Sequence, residues 1–137
     1  MLVKDIMTPR MESVGPGASL QETARKMRDI NIGSLPVWEN GKLLGMVTDR
    51  DICCRAVAEG RDAARTAVRE IMSRDVTCCF GDDDITDAAQ LMEGKHIRRL
   101  AVLNRDRTMA GFLSVDDLAH HSHKLGGYVL DAVGPRH

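Results

Sequence analysis

A chain of 137 residues has room for one compact domain, or for two very small ones that share a core. Apolar residues at 43% and charged residues at 28% are ordinary for a globular protein, and a net charge of −1 provides no field to recruit nucleic acid or an anionic membrane. No run of about 18 apolar residues exists to span a bilayer, and the start Met1-Leu2-Val3-Lys4-Asp5 lacks the apolar core of a secretory signal, so a cytoplasmic location is expected.

In chain order, Asp5-Ile6-Met7 leads into an extended stretch around Met11 to Val14. Ser19 with Glu22 three residues later reads as a capping box that opens a helix, with Leu20, Ala24 and Met27 as its apolar stripe. A strand over 35–38 turns at Asn40-Gly41, a strong hairpin signal, into a strand over 43–47. A helix then carries Asp51 to about Ala58, with Gly60 as its stop. The polar, aperiodic segment 61–66 reads as a linker.

The same series then recurs. Ile71-Met72 aligns with Ile6-Met7, Ala89 with Ala24, Met92 with Met27, and Ile97, Leu100 and Val102 with Ile32, Leu35 and Val37. The second copy predicts an extended stretch over 76–79 and a helix from Asp84, with Asp87 in the box position and Ile85, Ala88, Ala89 and Met92 inward. Strands over 100–103 and 109–113 follow, then a helix from Asp117 to about Leu125, stopped by Gly126-Gly127. The expected division is repeat one over 1–60, linker over 61–66, repeat two over 67–127 and a tail over 128–137. Each repeat is β-α-β-β-α, an α/β class. Neither alone could bury its helices and sheet, so the two are expected to pack about a pseudo-two-fold axis.

Both repeats end in the same corner. Gly45-Met46-Val47-Thr48-Asp49-Arg50-Asp51 and Gly111-Phe112-Leu113-Ser114-Val115-Asp116-Asp117 each place a hydroxyl residue where a helix starts and an acid three residues on. That is a capping box. It is also a natural anion site, because free N–H groups and the positive end of the helix dipole converge there. On the residues alone, a purely structural cap is the favoured reading, because the capping box is common.

Other candidates carry less. Cys53-Cys54 and Cys78-Cys79 are adjacent pairs without C-x-x-C spacing, so reduced and largely buried thiols are expected. On a strand, Cys78 and Cys79 would face opposite sides. His120 and His123 are three apart near the end of the last helix, where a polar helix end is preferred over a metal site. No nucleophile elbow, Walker loop or dinucleotide glycine fingerprint is present, and aromatics at 3% leave few stacking platforms for nucleic acid.

The order of elements and the paired G-x-x-[ST]-x-x-D endings resemble a tandem pair of cystathionine-β-synthase (CBS) domains, the stand-alone Bateman module. The most specific matching segments are Asp5-Ile6-Met7-Thr8-Pro9, Ile32-Gly33-Ser34-Leu35-Pro36-Val37, and Leu44 through Ile52. In the second copy they are Glu70-Ile71-Met72-Ser73 and Arg98-Arg99-Leu100-Ala101-Val102. The resemblance implies a regulatory fold that binds adenosine-containing ligands in clefts between the repeats and commonly dimerises into a flat disc. It implies that Asp51 and Asp117 receive ribose hydroxyls, and that Thr48 and Ser114 take a phosphate or ribose oxygen. Ile32, Gly33, Ser34 and Ile97, with Val14 and Cys79 from the leading strands, would wall the base. Arg98 and Arg99 stand where the family often carries phosphate-binding residues, whereas Gly33 and Ser34 occupy the matching places in repeat one. Arg50 is friendly to phosphate; its counterpart Asp116 is not.

The expectation is therefore a non-enzymatic, homodimeric sensor of AMP, ADP, ATP or a related nucleotide. It needs no cofactor beyond that regulatory ligand, acts on an unspecified protein or process, and engages neither nucleic acid nor membrane. The alternatives are a ligand-free dimeric interaction module with purely structural caps, or a thiol- or metal-responsive sensor using its cysteines.

Overall fold

The computed structural model describes residues 1–9 and 12–133, so Met11 of the expected leading strand and residues 134–137 of the expected tail lie outside the described residues. The elements are α1 (Val3–Ile6), α2 (Leu20–Ile30), β1 (Ser34–Glu39), β2 (Lys42–Thr48), α3 (Asp49–Asp51), β3 (Cys78–Phe80), α4 (Ile85–Lys95), β4 (Arg99–Leu103), β5 (Met109–Ser114), α5 (Val115–His121) and α6 (His123–Val133). The mixed α/β class holds. The backbone forms two compact units that cut across the sequence repeats: one is Glu12–Val76, the other Met1–Met11 with Thr77–His137.

In the Glu12–Val76 unit, β1 and β2 form an antiparallel hairpin whose turn residues Asn40 and Gly41 have φ of 52° and 75°. Positive φ at both positions is what an Asn-Gly turn supplies at little cost. Val14 bridges Val37 in parallel on the β1 side. On the β2 side, Met46 and Ser73 exchange backbone hydrogen bonds of 2.9 and 2.8 Å. The lead-in of repeat two thus completes the sheet of this unit. Leu20, Leu35, Val37, Val47 and Val68 are fully buried in its core, each contributing about 1.5–3 kcal/mol.

The second unit is built the same way. β3 pairs in parallel with β4, and β4 antiparallel with β5. Thr8 and Phe112 exchange bonds of 2.8 and 3.0 Å on the β5 side, so the lead-in of repeat one belongs here. Gly45 and Gly111, one residue before each bridge, are explained by this exchange. A Cβ on Gly45 would lie 2.6 Å from the Ser73 carbonyl oxygen, and one on Gly111 would collide with the Thr8 carbonyl oxygen. The repeated glycine is a repeated backbone crossing.

Several expectations need correction. Ser19 Oγ accepts the Glu22 N–H at 3.0 Å, but the box is not closed by a return bond. Thr23, not Ala24, is buried on α2; Ala24 is exposed. The helix from the first corner starts at Asp49, and Ile52–Val57 is wound as a π-helix, with the Ala58 N–H donating to the Cys53 carbonyl at 2.9 Å. The second leading strand spans Cys78–Phe80. The last helix does not run to Leu125: α5 ends at His121, Ser122 is extended, and α6 continues to Val133. Gly126 and Gly127 therefore lie inside a helix. A Cβ on Gly126 would sit 2.7 Å from Ala119 Cβ, so the glycine permits α6 to dock on α5. Residues 128–133 are not a tail: Val129 and Val133 are buried in the core. Among the described residues, no helix is long and apolar enough to cross a membrane.

Candidate functional site

Both corners are closed capping boxes of the same geometry. Thr48 Oγ1 accepts the Asp51 N–H at 3.0 Å, and Asp51 Oδ2 accepts the Thr48 N–H at 3.0 Å. Ser114 Oγ accepts the Asp117 N–H at 3.1 Å, and Asp117 Oδ2 accepts the Ser114 N–H at 2.9 Å. The strand preceding each corner fixes it: Ser34 pairs with Thr48, and Arg99 with Ser114. A matching backbone bond ties each helix start to the loop before its strand, Asp49 N–H to the Gly33 carbonyl and Val115 N–H to the Arg98 carbonyl, both 2.9 Å.

The cap uses one carboxylate oxygen, which leaves the other to distinguish the corners. Asp51 Oδ1 lies 3.8 Å from Arg55 Nε, and Arg55 also donates to the Ile71 carbonyl at 3.1 Å. Asp117 Oδ1 has no such partner among the described residues; His121 holds the matching position. Arg55 was not singled out from the sequence, although its place four residues after Asp51 is the signal that would have found it.

The wall candidates divide by burial. Val14 and Cys79 point into the cores of their units, so any contribution of theirs to a ligand is through backbone. Ile32, Gly33 and Ile97 are half-buried beside the corners. Ser34 is only 3% exposed, and its Oγ is the single buried side-chain polar atom among the described residues without a hydrogen-bond partner. Such an orphan hydroxyl costs stability unless something outside the protein satisfies it. Arg98 and Arg99 are exposed and unpaired among the described residues, flanking Ser114. Arg50 and Asp116 are both exposed, and Asp116 pairs with neither arginine.

The remaining candidates separate in space. Cys79 is buried and Cys78 half-buried, as alternation on a strand requires, but Cys53 and Cys54 are exposed, against expectation. Burial pushes the Cys79 thiol up to about 12, with Asp83 and Cys78 adding to the shift, so it stays protonated and inert at neutral pH. His120 lies in the last turn of α5 and His123 opens α6, so they do not share one helix face. No group of three metal-ligating side chains occurs among the described residues.

The sequence profile of the CBS domain matches residues 3–56 and 68–124. The CBS domain-containing protein YhcV of Bacillus subtilis is 41% identical over 117 residues, covering 85% of this chain and 82% of that protein. The crystal structure of hypoxic response protein I with two coordinated zinc ions superposes with a TM-score of 0.78 at 29% identity, over 88% of this chain and 98% of that one. The CBS domain pair of protein MJ0100, solved in complex with 5′-methylthioadenosine and S-adenosyl-L-methionine, gives 0.78 at 27% identity, over 90% and 97%.

Proposed function

The chain belongs to the CBS-domain family and carries the domain twice, and on that footing we propose that it is a cytoplasmic, homodimeric regulatory module that binds adenine nucleotides at its two corners. It is a binding protein rather than a catalyst, and it passes nucleotide occupancy to another protein or process. The observation that carries this reading is the buried Ser34 hydroxyl, paired in the sheet with Thr48 and lacking any partner of its own. A purely structural cap does not require it, whereas a ribose or phosphate oxygen would satisfy it once binding opens the corner to this buried atom. The nucleoside complex of the MJ0100 pair supports the ligand class.

The corners differ in what they offer. Thr48, Asp51 and Ser34, with Ile32, Gly33 and Val14, present hydroxyls and walls without a flanking wall arginine; Arg55, 3.8 Å from Asp51 Oδ1, and exposed Arg50 are the nearby cations. Ser114, Asp117 and Ile97, with Cys79, stand with Arg98 and Arg99, whose guanidinium groups can grip a phosphate through paired N–H bonds. A phosphorylated ligand should fill the Asp117 corner first. Exposed Asp116 opposes this only if it turns toward the phosphate.

Thermal unfolding with adenosine, AMP, ADP, ATP, 5′-methylthioadenosine and zinc tests the reading. A ligand that binds only the folded chain raises the melting temperature, by an amount set by about 2.7 kcal/mol at one hundred times its Kd. AMP, ADP or ATP is expected to raise it. A rise with zinc alone would favour a metal sensor, and no rise with any compound would leave the corners as caps.

A further inference from the structure

The helix that leaves the Asp51 corner differs from its counterpart in two ways that meet at one side chain. Ile52–Val57 is wound as a π-helix, whereas Val115–His121 stays α-helical. π turns are rare and occur frequently at functional sites. Arg55 lies in this one and reaches two acceptors at once. Its Nε is 3.8 Å from Asp51 Oδ1, and its Nη1 donates to the Ile71 carbonyl at 3.1 Å. Ile71 is 3% exposed, and Ser73, two residues on, is bonded in both directions to Met46 of β2, so that carbonyl is a fixed anchor. The Asp51 side chain is 18% exposed and held by its cap, whereas that of Arg55 is 54% exposed, with room to swing. His121 stands at the matching place of the other corner, and Asp117 makes no ion pair among the described residues.

We infer that Arg55 makes the Asp51 corner selective for phosphorylated over bare adenine nucleosides. This rests on the nucleotide reading proposed above and names what sets the choice of ligand at that corner. Asp51 Oδ2 is committed to the Thr48 N–H, so Oδ1 is the oxygen left for a ribose hydroxyl. Arg55 is drawn to that same oxygen. A ribose must compete with a cation for it, and bare adenosine binds at a disadvantage. A phosphate reverses the sign. It gives Arg55 another partner, so the guanidinium moves from carboxylate to phosphate while the ribose takes Asp51 Oδ1. The exchange is favourable, because a guanidinium–phosphate contact is charge-assisted and can be bidentate, whereas an exposed ion pair at 3.8 Å contributes little. The helix thereby supplies the cation that Gly33 and Ser34 cannot supply from the strand. The Asp117 corner needs no exchange, since its outer oxygen and its two arginines are unpaired among the described residues.

Calorimetric titration of adenosine and of AMP tests this, in Asp117→Asn, which leaves the Asp51 corner to be read alone, and in Asp117→Asn with Arg55→Ala. Circular dichroism confirms folding. Removing Arg55 should tighten adenosine about two- to fivefold and weaken AMP about tenfold, so the preference for AMP collapses. Raising the salt concentration should tighten adenosine where Arg55 is present, by screening its pair with Asp51, and change nothing in the Ala variant. An Arg55 that served the fold alone, through Ile71, would weaken both ligands alike when removed. That result, or an unchanged ratio of AMP to adenosine affinity, would overturn this inference and leave the nucleotide reading standing. Binding of neither ligand to either chain would defeat the nucleotide reading at this corner, and the inference with it.

Discussion

Gly111→Ala is expected to destabilise the chain by about 3 kcal/mol, lowering its melting temperature by roughly 10 °C. The added Cβ would run into the Thr8 carbonyl oxygen and lie 3.1 Å from Pro9 Cα. Both are backbone atoms, so no rotamer change relieves the contact, and a close-packed interior transmits the strain. The two Thr8–Phe112 hydrogen bonds would be lost as well, at about 0.5–1.5 kcal/mol each. Gly45→Ala, facing the Ser73 carbonyl oxygen at 2.6 Å and Met72 Sδ at 2.9 Å, should also destabilise, but less, because the methionine can move. Gly94 supplies the control. It lies in α4 with nothing within 4 Å of a built Cβ, so Gly94→Ala should stabilise by about 0.5–1 kcal/mol. Equal melting temperatures for Gly111→Ala and wild type would show that the lead-in does not cross β5 as described.

Gly126→Val should detach α6. Its Cβ would lie 2.7 Å from Ala119 Cβ and 2.9 Å from Ala119 Cα, and neither atom can swing away. Displacing the helix exposes Val129 and Val133, so a loss of about 3 kcal/mol is expected. Hydrogen exchange is the informative readout: protection over 123–133 should collapse, while the Glu12–Val76 unit keeps its own. Full protection of α6 in the variant would contradict the helix contact.

These two substitutions fall where the sequence was least readable. The hairpin at Asn40-Gly41 and the two corners were legible because turn chemistry and capping are local, and Thr48…Asp51 and Ser114…Asp117 folded as boxes. The exchange of lead-ins was not, because Ile6-Met7 and Ile71-Met72 are nearly the same segment, and a repeat cannot say from its pattern which copy it pairs with. Gly126-Gly127 read as a stop because glycine is common just past a helix end, but it serves close helix approach equally well. Ala24 failed for a related reason: alanine fits an apolar stripe or an exposed face alike. At the site, hydroxyls, carboxylates and arginines were visible as residue types. The orphan hydroxyl of Ser34 and the ion pair of Arg55 with Asp51 required coordinates.

Calorimetric titration of AMP into the wild type, Asp117→Asn and Arg98→Ala tests nucleotide binding at the corners most directly. Asn keeps an acceptor for the Ser114 N–H, so the cap and the fold should survive while the charge is removed. Binding at that corner should weaken by about 1.5–3 kcal/mol, roughly ten- to a hundredfold in Kd. Arg98→Ala should reduce the preference for AMP over adenosine and leave adenosine binding intact. A folded Asp117→Asn chain that binds AMP as tightly as the wild type would contradict the account, and Asp117 would then be a helix cap alone.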